Sequence, residues 1–182
     1  MTPLTVHQRA AVSAVMWAAI ASERIIGCPA EVTVAQWAIE SNWGTAVFGK
    51  NPFGIKEYPG CHGRQLLRTQ EWFTDLELSG FLARGQGRTA ELHGQRVGSR
   101  NLYDVRDLFA TFATLGDAFI FHGRLLQRGP YLAAWQRYQK DHDLVAYIHG
   151  IAVHYSTMAT YGDTVAQWAT HPEIAAAVVA AR

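Results

Sequence analysis

Cysteine is scarce: Cys28 and Cys61 are the two in 182 residues. No CxxC pair or histidine cluster accompanies them, which excludes a zinc framework. In an oxidising compartment the two thiols are free to pair, and equally free never to meet. There is no HExxH, and His142 and His149 share a helical spacing without a third ligand, so neither a metal nor a cofactor is expected. Charge of either sign is low. Lys+Arg 16 against Asp+Glu 15 leaves a net charge of +1, which gives no basic footprint for nucleic acid and no polybasic membrane segment. The apolar run from Ala10 to Ala21, about twelve residues, is too short to span a bilayer. Gly85-Gln86-Gly87 lacks the third glycine and the preceding strand of a dinucleotide loop and reads as a turn. Repeats, linkers and low-complexity segments are absent as well.

What remains has the size of one domain, residues 1–182, long enough to bury a core. Thr5 and Gln8 have capping-box spacing ahead of the first apolar run, so residues 6–26 read as a domain helix ending at Gly27 rather than as a secretory leader. Export then needs another route: phage-type lysis, specialised secretion or a partner protein. The middle of this helix is apolar all round and is expected to be buried at the centre. A second helix spans about 30–41 after Pro29. From about 57 to 105 the pattern breaks into strand-like runs at 65–69 and 89–93, around a helix capped by Thr74 and Glu77. Helices are expected again at 105–114, 115–127, 131–139 and 144–154, and from Pro172, where Thr170 and Glu173 have capping-box spacing.

The chemistry concentrates in WAIESNWGTAVFGKNPFGIK, residues 37–56. Glu40 ends an unusually apolar helical run. Thr33, Gln36 and Glu40 form one polar stripe on it, which reads as facing a cleft or water. A carboxylate held among tryptophans has its charged form disfavoured by desolvation, which suits a general acid. Taken alone, a glutamate at a helix end is usually a solvated surface residue.

The strings VAQWAIESNWG and NPFGIK resemble the AQAALESGWG and NLFGIK segments of the peptidoglycan N-acetylglucosaminidases, glycoside hydrolase family 73, which includes flagellar hydrolases and autolysins. Arg68-Thr69-Gln70-Glu71 resembles that family's threonine-x-glutamate strand, Leu108 to Leu115 its phenylalanine-rich segment, and Tyr155-Ser156-Thr157 its YAT motif. The resemblance covers about residues 5 to 170. Two strings depart from it: Met158-Ala159 stands where the family has Asp-Pro, and Phe109-Ala110-Thr111-Phe112 where it has Phe-Arg-x-Tyr.

This resemblance implies an α+β, predominantly α, lysozyme-like fold, with a small β-containing lobe flanking a substrate groove. It implies an endo-β-N-acetylglucosaminidase that cuts the glycan strands of peptidoglycan in the cell wall or periplasm, acting as a monomer without cofactor. Glu40 takes the general acid's place and Glu71 the second carboxylate's. Glu91 competes with Glu71, because Arg88-Thr89-Ala90-Glu91 repeats the RTxE pattern. His93-Gly94-Gln95 after it reads as a hairpin tip. Carboxyls about 6.5 to 9.5 Å apart fit inversion; a wider gap favours help from the substrate's own acetamido group. Tyr155 corresponds to the YAT tyrosine bordering the acid, and Trp43, Phe53 and Trp72 are candidate sugar-facing rings, with core packing as the alternative for each. A lytic transglycosylase is the nearest rival, but Phe53-Gly54-Ile55-Lys56 stands where its GLMQ-like segment is expected. A muramidase and a non-catalytic peptidoglycan-binding or assembly module are the others.

Overall fold

A computed structural model describes residues 1–156 and 158–182; Thr157 of the Tyr155-Ser156-Thr157 segment lies outside the described residues. The chain divides into two compact units, one of Met1–Phe53 with Ala113–Arg182, the other of Gly54–Phe112. Helices dominate the first and an antiparallel sheet the second, an α+β fold that is mostly α.

In the first unit, α1 (Val6–Ile26) opens on a reciprocal cap. The Thr5 hydroxyl accepts from the Gln8 N–H and the Gln8 side chain accepts from the Thr5 N–H, satisfying two donors that have no partner within the helix. It closes at Gly27, whose φ of 75° glycine adopts at little cost. The enclosed helix is α2 (Ala30–Glu40), not α1. Every residue from 32 to 38 is buried, and α2 packs against α1, α4 (Leu115–Leu125), α7 (Tyr161–Ala169) and α8 (Pro172–Ala181). The expectation that α1 is buried all round is corrected: Ala10, Ser13, Ala14 and Trp17 face outwards. Alanine favours a helix whether or not it is covered, so an alanine-rich run mimics a core sequence. Trp17 keeps 57% exposure while its ring lies along Gly116 of α4, where an added β-carbon would come within 3.2 Å.

After α4 come a 3-10 turn (Gly129–Tyr131), α5 (Leu132–Asp141) and α6 (Leu144–Tyr155), near the expected bounds. Val32 and Ala35 of α2, Leu126 just after α4, Tyr147, Ile148 and Ile151 of α6, and Tyr161 and Val165 of α7 share one apolar cluster. No sequence reading anticipated α7, and α8 is capped differently from expectation. His171 accepts from the Glu173 N–H at 3.3 Å, while the Thr170 hydroxyl is engaged with the Ala166 carbonyl at 2.7 Å.

The second unit is a three-stranded antiparallel sheet, order β1-β3-β2, with β1 Gly63–Phe73, β2 Thr89–Val97 and β3 Arg100–Thr111. The helix expected at 105–114 is therefore mostly the central strand. Val105, Leu108 and Phe109 fit a helical stripe as well as a strand, and short apolar runs leave that choice open. The turn into β3 lies at Gly98-Ser99; His93-Gly94-Gln95 lies within β2, where the pairing shifts between Leu92 and Arg96. The expected cap of Thr74 and Glu77 starts α3 (Asp75–Ala83), whose Phe81 and Leu78 pack on Phe73, Ala90, Tyr103 and Val105.

Beside that apolar cluster runs a chain of ion pairs. Arg88 bridges Glu57 and Asp107, Lys56 bridges Asp107 at 2.9 Å and Glu71 at 2.7 Å, and Arg64 flanks Glu57 at 3.3 Å. The Arg88 side chain is only 1% exposed, so its removal strands two carboxylates. Arg88→Leu is expected to cost about 3 kcal/mol in urea unfolding of the full chain, the lower end for a broken buried pair because Lys56 and Arg64 remain. A loss under about 1 kcal/mol, the range of exposed pairs, would show the chain of charges to be solvated.

Candidate active site

Glu40 is the last residue of α2, and the backbone beyond it is tightly turned. Ser41 is buried; its hydroxyl donates to the Trp37 carbonyl at 2.6 Å and accepts the Gly44 N–H at 2.8 Å. Asn42, Trp43 and Gly44 all have positive φ, 46°, 57° and 83°. Glycine is required at 44, since a β-carbon there would also sit 3.0 Å from Trp37 Cζ2. Trp43 is held in this left-handed conformation by an edge contact with Trp168, ring centroids 4.9 Å apart, and such strain persists only where the surroundings impose it.

The polar stripe on α2 divides: only Glu40, at its end, reaches the surface. Thr33 and Gln36 are both buried, because α7 and α4 cover that side. The Gln36 amide donates to the Tyr161 hydroxyl at 3.2 Å, its carbonyl oxygen lies 3.0 Å from His122 Nε2, and the Tyr161 hydroxyl donates to Glu40 Oε1 at 2.7 Å. Glu40 keeps an exposed outer surface while its carboxyl is crowded by protein. Solvation of the oxygens decides the titration, so the burial governs: it raises the Glu40 pKa, against the opposing hydrogen bond from Tyr161. The negative end of the α2 dipole acts in the same direction as burial.

Tyr155 stacks on Tyr161, centroids 5.4 Å apart, and meets the edge of His122 at 5.8 Å. Desolvation holds its pKa well above the ordinary phenol value, and the nearby Glu40 charge adds to that. Burial and Glu40 hold Tyr161 up in the same way, so both phenols keep their protons. Burial pushes His122 down to about 3, leaving it neutral.

Of the residues picked from sequence, Tyr155 and Trp43 lie in the helical unit with Glu40. Phe53 takes the core-packing alternative: at 5% exposure it is a core ring, stacked on His122 at 3.9 Å and meeting Phe119 edge-on at 5.0 Å. Tyr161, Gln36 as a partner, and His122 were missed. The apolar spacing Tyr161, Val165, Trp168 and Ala169 is the helical signal for α7 that would have found the first.

The sheet separates the two RTxE glutamates. Glu71 pairs with Tyr103 and Glu91 with Asp104, and successive residues of β3 point to opposite faces. Glu71 thus shares the face covered by α3 and is held by Lys56; Glu91 shares the other face with Gln70 and is exposed. Trp72, next to Glu71 in sequence, lies on the opposite side of β1 from it.

Cys28 is buried with its thiol pushed up to about 12 by desolvation, Cys61 is half-exposed, and both are free thiols. Among the described residues, no group of three or more His, Cys, Asp or Glu is placed to hold a metal ion, and no helix is long and apolar enough to cross a membrane.

The family model described as mannosyl-glycoprotein endo-beta-N-acetylglucosaminidase matches residues 16–173. No curated protein matches. Among solved structures, the catalytic domain of the autolysin Auto from Listeria monocytogenes is similar at 19% identity, covering 97% of this chain and 90% of that one, TM-score 0.67. A peptidoglycan hydrolase mutant from Sphingomonas sp. A1 is similar at 21% identity, covering 94% and 99%, TM-score 0.60. The glycoside hydrolase domain of FlgJ from Salmonella typhimurium is similar at 15% identity, covering 95% and 92%, TM-score 0.60. At these identities the structures establish a shared fold.

The raised Glu40 pKa carries a stability cost with a definite sign. Below the ordinary value of 4.5 the carboxyl is protonated in both folded and unfolded chains, and the stability it contributes is fully present. As pH rises through the folded value, the folded state must ionise a desolvated group and that contribution is lost. Glu40→Gln, neutral throughout, is expected to melt above the parent at about pH 8 and level with it at about pH 4. The same difference at both pH values would assign the effect to packing rather than ionisation.

Proposed function

The chain belongs to the mannosyl-glycoprotein endo-beta-N-acetylglucosaminidase family and is a glycoside hydrolase, and on that premise we propose that Glu40 is the general acid for cleavage of β-1,4 bonds in peptidoglycan. The observation that carries this is the carboxyl of Glu40 itself, crowded at the C-terminal end of α2, raised by burial and held through one oxygen by Tyr161. A carboxylic acid that stays protonated toward neutral pH can give its proton to the departing glycosidic oxygen as the sugar passes through an oxocarbenium-like state. Glu40 ends the step as carboxylate, and a water adds to the anomeric carbon as it gives up a proton to a carboxylate, so that the proton spent by Glu40 is regained in the full cycle.

Glu71 is the second carboxylate in this reading. Its place on β1 within Arg68-Thr69-Gln70-Glu71 and its fixed pairing with Lys56 at 2.7 Å support it. Glu91, exposed on the other sheet face, has no such support. Tyr155, packed beside Tyr161 and electrostatically coupled to Glu40, is suited to orient the sugar's acetamido group. Trp43 and Trp72 remain the candidate sugar-facing rings. The reaction takes place at the cell wall, with the glycan strand as substrate. The peptidoglycan hydrolase from Sphingomonas sp. A1, with the same fold, supports that choice.

Glu40→Gln is expected to keep saccharide binding and lose at least about a hundredfold in turnover, and mass analysis of released muropeptides is expected to show reducing N-acetylglucosamine ends. Near-parental turnover would remove Glu40 from the mechanism; reducing N-acetylmuramic acid or anhydro ends would make the enzyme a muramidase or a transglycosylase. Glu71→Gln is expected to slow hydrolysis about tenfold to a hundredfold, with Glu91→Gln near the parent. The reverse order would exchange the two, and two mild effects would leave the substrate's acetamido group as the second participant.

A further inference from the structure

The polar side chains behind Glu40 form a hydrogen-bond chain with a direction. His122 on α4 is fully buried, and its Nδ1 is, among the described residues, a buried side-chain atom without a hydrogen-bond partner. A neutral imidazole has one N–H and one lone pair. If Nδ1 carried the proton, the core would hold an orphaned donor, which is rarer and costlier than an unmatched acceptor. The proton therefore belongs on Nε2, which donates to Gln36 Oε1 at 3.0 Å. That fixes the amide: its NH2 group must face Tyr161, to whose oxygen it donates at 3.2 Å. With its oxygen accepting, the Tyr161 O–H points onward to Glu40 Oε1 at 2.7 Å. Each link determines the next, and every donor points toward the carboxyl.

We propose that His122 and Gln36 are positioning residues that act through Tyr161 on Glu40, holding Oε1 as an acceptor so that Oε2 is the oxygen that carries and delivers the catalytic proton. The proposal rests on Glu40 being the acid. After transfer the same O–H is already aimed at the new carboxylate, which it stabilises without reorganisation. Turning the Gln36 amide over would present its carbonyl to Tyr161 and draw the O–H away from Glu40; the Nε2–H of His122 prevents that. The groups facing Glu40 are Tyr161 from α7 and Tyr155 from α6, with Tyr131 coupled to both phenols. All three phenols titrate above their ordinary value and stay neutral, and His122 is neutral as well. The direction of the chain is thus constant across working pH.

The test is the carboxyl 13C NMR titration of Glu40 in the full chain, its signal identified by loss in Glu40→Gln, read together with the pH dependence of kcat and KM. Tyr161→Phe removes the donor that favours the carboxylate, so the midpoint is expected to rise by about one to two pH units. The alkaline limb of kcat should move with it while KM stays. Gln36→Met and His122→Leu are expected to raise the midpoint in the same direction, and His122→Gln, which restores a donor, to return it toward the parent. An unmoved midpoint in Tyr161→Phe overturns the hold on Oε1. A folded Gln36→Met with the parental midpoint confines Gln36 and His122 to packing, and decides the matter if His122→Leu does not fold. A shift in His122→Leu that His122→Gln fails to reverse overturns donation by His122. Midpoints that move as expected while Glu40→Gln turns over normally would remove the acid assignment and leave the chain standing.

Discussion

A glutamine with no access to water in the middle of a buried helix is the constraint around which the helical unit is arranged. Gln36 sits on α2 among Val32, Val34, Ala35, Trp37 and Ala38, and an unpaired amide there would be costly. Its partners come from α4 and α7, so both helices must close on α2 at a fixed height and rotation. Apolar packing tolerates small slips of one helix against another; a hydrogen bond of about 3 Å does not. The amide thereby converts a fluid apolar contact into a defined one, and Glu40, one turn further along α2, inherits that definition.

Much of this was readable from the sequence and some was not, for physical reasons. Caps are local, so the Thr5 and Thr74 boxes appeared as expected. Glu40 was legible because the motif around it is contiguous. The polar stripe on α2 was seen and assigned to a cleft or water, which holds for Glu40 and not for Thr33 and Gln36, because a helix pattern shows which residues share a side and not what covers it. Its cover, α7, begins with Tyr161-Gly162-Asp163 after a stretch with few helix formers, and His122 lies 86 residues from Gln36. Likewise β3 was misread as a helix because its apolar residues satisfy both periods, and only its pairing with β1 and β2 decides between them.

The smaller unit is stabilised in a different way. Its apolar cluster is slight, gathered on Phe81, Tyr103 and Val105, and two charged residues, Arg88 and Asp107, are buried in the same unit. Arg88 and Lys56 each serve two acidic partners, which satisfies the planar fork of the arginine and spreads the desolvation cost over several contacts. Glu71 stands at the end of this chain of charges, so its position depends on Lys56 and Asp107 rather than on the strand alone.

The two RTxE strings differ by a single step of register: Arg68 lies opposite Arg106 in one strand, and Thr89 lies opposite the same residue in the other. Odd or even count, and not composition, therefore separates them. Because a strand alternates strictly, sliding β2 along β3 by one residue would carry Glu91 to the side that Glu71 now occupies and turn Arg88 out toward solvent. The number of β2 residues between Thr89 and the Gly98-Ser99 turn, including the shift between Leu92 and Arg96, sets that register. Two strings that share one pattern thus carry opposite meanings in one sheet, and the hairpin that joins β2 to β3 decides which is which.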